Sequence, residues 1–94
     1  MHPAQPGHGV RYEFVLVEAS DDEAVYAVTV FVAEAQHPGR VVIGPGVSRF
    51  AEEPPGLDPA HRTQLLALAK TIGKRGPDEP WPRRVNRWRS PGVR

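Results

Sequence analysis

The chain has 94 residues, 12 basic and 11 acidic side chains, a net charge of +1 and no cysteine. That length makes one domain, since chains rarely split into domains below roughly 150 residues, and it leaves a small core that a second copy or a docked tail would support. The absence of cysteine excludes disulfides, thiolate metal sites and cysteine nucleophiles, and it fits a cytoplasmic protein.

Residues 1–9 are rich in Gly and Pro beside His2 and His8. They read as a disordered leader with nothing to bury, and they lack the basic-then-apolar pattern of a signal peptide. Val10 to Ala19 alternates Tyr12, Phe14 and Leu16 with Arg11, Glu13 and Val15, which predicts a first strand. Val15 and Val17 place apolar groups on the second face, so that face is expected to be partly covered. Ser20-Asp21-Asp22-Glu23 is a polar turn, and residues 24–33 are rich in β-branched and aromatic side chains, which predicts a second strand. The two runs make an antiparallel hairpin. The longest apolar-rich stretch, Ala24 to Ala33, is too short for a membrane-spanning helix, and no membrane partner is expected.

Glu34 to Gly39 is expected to be a connection, with Pro38-Gly39 at the centre of a type II turn. Arg40 to Gly44 reads as a third strand. Pro45-Gly46 interrupts it, because proline cannot donate to a ladder, and Val47 to Ala51 reads as a separate fourth strand. Leu57-Asp58-Pro59 then announces a helix over residues 59–74. Asp58 can accept from the first-turn N–H groups, and Pro59 stands where its missing N–H costs nothing. Leu65, Leu68, Ala69 and Ile72 form one apolar stripe, Leu66 widens it, and Gly73 or Gly76 supplies the stop. Lys70, Lys74 and Arg75 suit the carbonyl end of the dipole.

The expected architecture is an α+β domain over residues 10–76, a three- to four-stranded antiparallel meander packed against one C-terminal helix. Leu65, Leu68 and Ile72 should meet Phe14, Leu16, Tyr26, Val28 and Val30. This element order, sheet first and helix last, is similar to that of several single-stranded nucleic-acid-binding folds, including that of a transcriptional coactivator family. The similarity is one of layout and carries no residues across.

A Trp/Arg-rich segment, residues 77–94, follows the domain. From Trp81 to Arg94 it holds five arginines, two tryptophans and no acidic residue. Residues 1–56 carry a net −5 and residues 57–94 a net +6. Segregated charge of this kind marks either a binding surface or two halves that attract each other. Trp81, Val85 and Trp88 stand at i, i+4 and i+7, one face of a helix, with Arg83, Arg84, Arg87 and Arg89 over the rest. These seven residues are the candidate partner-binding site, and three readings follow. The Trp/Val face enters a groove on another protein or a second copy. The arginines pair with phosphates while Trp88 stacks on a base, as in a nucleic-acid-binding protein. Or the segment closes the uncovered face of its own sheet.

Nothing in the sequence points to catalysis. Asp21-Asp22-Glu23 lacks the spacing of a calcium loop and reads as a solvated hairpin tip. His2, His8, His37 and His61 lack metal-ligand spacing, and no cofactor is expected. Gly44-Pro45-Gly46 is no phosphate loop, and Ser20, Ser48 and Ser90 have no nucleophile context. The expected function is therefore a non-enzymatic binding module, protein-interacting or self-associating, with nucleic-acid binding as the alternative.

Overall fold

Strict alternation in the first two strands sets the architecture. Tyr12 and Phe14 are buried, as are Tyr26, Val28 and Val30, while the residues between them are only partly covered. The computed structural model describes residues 9–32, 35–44, 47–74 and 79–89. Its elements run β1 (Val10–Ala19), β2 (Ala24–Val32), β3 (Ala35–Gly44), β4 (Val47–Glu52), α1 (Pro59–Ile72) and β5 (Arg84–Arg89). The strands form one antiparallel sheet in the order β4-β3-β2-β1-β5, and α1 packs on one face. The α+β class expected from the sequence is what the structure has, with one strand more than expected. The leader up to residue 8, Pro45-Gly46, Arg75, Gly76 and residues 90–94 lie outside the described residues.

Two turn signals do different work from the one expected. Pro38 and Gly39 do not form a type II turn but lie inside β3, opposite Thr29 and Val28 of β2. β4 reaches only as far as the position opposite Arg40, so the first half of β3 has a strand neighbour on one side, where proline is tolerated. Gly39 is required by a close approach. A Cβ there would stand 2.6 Å from the Glu52 carbonyl oxygen and 2.7 Å from the Pro54 ring. The chain leaving β4 thus crosses directly over this glycine.

The helix starts as its cap demands, with the Asp58 carboxylate accepting from the Ala60 N–H at 2.8 Å and Pro59 in the first turn. It ends at Ile72, two residues before the expected Lys74. Gly73 stays right-handed, with φ −69°, so it does not serve as a left-handed cap. Its missing side chain instead admits β3, because a Cβ would lie 2.9 Å from Ile43 Cγ2. Leu65, Leu68, Ala69 and Ile72 join Phe14, Tyr26, Val28 and Val30 in one core, extended by Val41 and Ile43. Leu16 is only partly buried, next to a bulge where the β1–β2 register slips between Leu16 and Glu18.

Width decides what remains uncovered. Five strands at about 4.8 Å spacing span roughly 19 Å, whereas a helix with its side chains is about 10 Å across. The single helix lies nearest β3 and β4. It therefore leaves a gap toward β1 and β5 on its own side of the sheet and cannot touch the other side.

Candidate interaction surfaces

The Trp/Arg segment is not a helix. Residues Arg84–Arg89 form β5, which pairs antiparallel with β1 from Val10↔Arg89 to Val15↔Arg84. The i, i+4, i+7 spacing of Trp81, Val85 and Trp88 is overridden by the unpaired edge of β1. A strand there satisfies its backbone groups and buries Val85 opposite Phe14. Pairing continues one residue upstream, where the Leu16 N–H donates to the Arg83 carbonyl at 2.9 Å.

This placement splits the seven candidate residues. Val85 belongs to the core on the helix side. Trp81 packs against that core, with its ring edge-on to Tyr26 at 6.5 Å between centroids, and its indole N–H donates to the Ser20 carbonyl at 3.1 Å. The Tyr26 hydroxyl donates to the Pro82 carbonyl at 2.7 Å, which anchors the lead-in to β5. Arg83 and Arg87 follow the helix-side register and are exposed, and Arg89 takes the same register opposite Val10. Arg84 and Trp88 go to the other face, where Trp88 keeps 45 % of its surface exposed. The sequence groups these residues as one site, and the strand distributes them over two surfaces.

The helix-free face is ordered in cross-strand rows that the sequence does not reveal. One row runs Glu18–Val25–Val42–Arg49 and the next Arg84–Val15–Ala27–Arg40–Glu52. A third brings Asn86, Glu13, Thr29 and Pro38 together, and the last Trp88, Arg11, Phe31 and Gln36. Apolar side chains hold the centre, and Val42 is buried to 9 % without a helix over it. Charges of both signs stand around them. The Arg11 guanidinium lies 4.0 Å over the Phe31 ring and 5.8 Å from that of Trp88, and it donates to the Asn86 side-chain oxygen at 2.9 Å. Arg84 leans toward Glu13 at 3.8 Å. Such a surface, with an apolar middle and a mixed polar rim, has the anatomy of a protein interface. Phe31, Arg11, Val25 and Val42 escaped the sequence reading as site residues. The half-apolar second face of the β2 run, with Val25, Ala27, Thr29 and Phe31, was the only signal for Val25 and Phe31.

On the helix side, Leu68, Thr71 and Ile72 of α1 face Pro82 and residues 84–87 across an open groove of about 300 Å³. Among the described residues, no group of three or more His, Asp or Glu side chains could hold a metal ion, and no helix is long and apolar enough to cross a membrane. No protein-family model matches the chain, and no significant match is found among curated proteins or solved structures.

Proposed function

We propose that this chain is a self-associating protein-interaction module, in which two copies stack through the helix-free faces of their sheets. The observation that carries this reading is the row order. The first row has Glu18 on β1 and Arg49 on β4 with Val25 and Val42 between them, and the second has Arg84 on β5 and Glu52 on β4 with Val15, Ala27 and Arg40 between them. A two-fold axis along β2 would therefore set Arg84 of one copy opposite Glu52 of the other, and bring Glu18 within one strand of Arg49. An isologous contact requires self-complementarity of this kind.

Area supports the same reading. A sheet roughly 19 Å wide with strands about 30 Å long offers on the order of 600 Å² per copy, or about 1,200 Å² for the pair, the lower bound of specific interfaces. A small domain gains the most from covering such a face. Nucleic acid suits this surface less well, because phosphates would meet Glu13, Glu18 and Glu52 beside the arginines.

Sedimentation velocity over a range of protein concentrations tests the proposal. A monomer–dimer equilibrium is expected. Ala27→Arg, in the middle of the face, should weaken it at least about tenfold, since an unpaired buried charge costs more than 1.4 kcal/mol. Arg84→Glu alone should weaken dimerisation, and Arg84→Glu with Glu52→Arg should restore it. A monomer at every concentration, or a dimer indifferent to Ala27→Arg, overturns the proposal. So does tight, steeply salt-dependent binding of a single-stranded oligonucleotide that this variant abolishes.

A further inference from the structure

We infer that the groove between α1 and β5 binds an extended acidic peptide, which adds to the sheet as a sixth strand. Among the described residues, β5 has a strand neighbour on one side only. The direction of its free groups follows from one hydrogen bond. The Arg83 carbonyl points at β1, where it accepts from the Leu16 N–H. Backbone groups alternate sides along an antiparallel strand, so the N–H and C=O of Arg84 and Asn86 turn outward, away from β1. This explains why both residues line the groove although their side chains lie on the opposite face of the sheet. The groove wall thus includes a pair of outward donor and acceptor groups, which is what strand addition requires.

The rest of the groove sets the chemistry of the occupant. Leu68, Ile72 and Val85 form an apolar floor, so the residue of the added strand that faces the helix is apolar. Thr71 and Arg87 stand beside that floor, and Arg83 follows the same helix-side register. Arg83 and Arg87 have no carboxylate partner among the described residues. The Arg87 guanidinium instead donates to the Asn86 carbonyl at 2.9 Å, capping one of the outward acceptors. An incoming strand takes over that acceptor with its own N–H and releases Arg87 for a carboxylate. A second β5 is a poor occupant, because antiparallel pairing of two such strands sets arginine against arginine. A segment with carboxylates two residues to either side of one apolar residue meets neither obstacle, because that spacing sets all three on the helix side, opposite Arg83, Val85 and Arg87.

The probe is a short synthetic peptide, Glu-Thr-Ile-Thr-Glu, which places both glutamates and the isoleucine on one face of the strand. Its controls are a lysine-for-glutamate version and a version N-methylated along one edge. Fluorescence anisotropy with the full chain should detect binding of the glutamate peptide alone, with amide shifts concentrated at Arg84 and Asn86 in two-dimensional NMR spectra. Arg87→Glu should weaken binding at least about tenfold by replacing attraction with repulsion. Thr71→Trp, which fills the groove from an exposed helix position, should do the same. Neither residue lies on the helix-free face, so both variants should retain the monomer–dimer equilibrium, which separates failure here from failure of the stacking proposal. The inference is overturned if the glutamate peptide does not bind, if N-methylation leaves its affinity unchanged, or if Arg87→Glu and Thr71→Trp bind as the parent does. Binding of a single-stranded oligonucleotide that these two variants abolish overturns it as well, by assigning the groove to phosphates.

Discussion

The two faces of the sheet are built from the same strands and differ in almost everything else. The helix side buries Tyr12, Phe14, Tyr26 and Leu65 to 1 % exposure or less. The other side keeps Val15, Val25, Phe31 and Trp88 partly in water, among charges of both signs. A period of two assigns every residue to one face or the other. It is the single helix, too narrow for five strands and confined to one side, that makes one face the core and leaves the other uncovered. Stability should therefore reside on one side and recognition on the other.

The largest effect is expected on the covered side. Phe14→Ala should cost about 3–5 kcal/mol of unfolding free energy in urea titration, because a fully buried ring leaves a cavity beside Tyr26 and Val85. A loss below 1 kcal/mol would break the comparison. Gly39→Ala should come next, at about 1–3 kcal/mol, since the new methyl meets a backbone oxygen that moves only with the crossing chain. Crystallography of that variant should find residues 52–54 displaced. The smallest effect is expected on the helix-free face. Arg49→Ala should change monomer stability by no more than about 0.5 kcal/mol while weakening association, so thermal melting at low concentration and sedimentation at high concentration should disagree about it.

Much of this division was legible in the sequence, and the missing part has definite causes. The first hairpin and the helix announce themselves through local signals, alternation in one case and the Asp58-Pro59 start in the other. β5 does not, because its only inward apolar residue in the middle of the strand is Val85. Its partner is separated from it by most of the chain: the side chains of Arg11 and Asn86 are hydrogen-bonded across 75 positions. A strand that exists because a distant edge needs pairing leaves no short-range period to read. Pro38-Gly39 misleads for a related reason. Its composition is that of a turn, but the cause of that composition is a chain crossing that no window around it contains. The candidate residues were grouped by a helical spacing that put Trp81, Val85 and Trp88 together, whereas a strand sends Val85 and Trp88 to opposite sides.

The pairing of β5 with β1 has a consequence for how the molecule comes into being. During synthesis the first strand emerges early, and its outer flank has to wait for a segment made after the helix is complete. Until then a nearly finished sheet displays an open hydrogen-bonding margin, the condition under which immature chains stick to one another. Closing so long a loop is also slow. Maturation should therefore be limited by the arrival of its final strand, and conditions that crowd nascent chains should penalise this protein more than its modest size suggests.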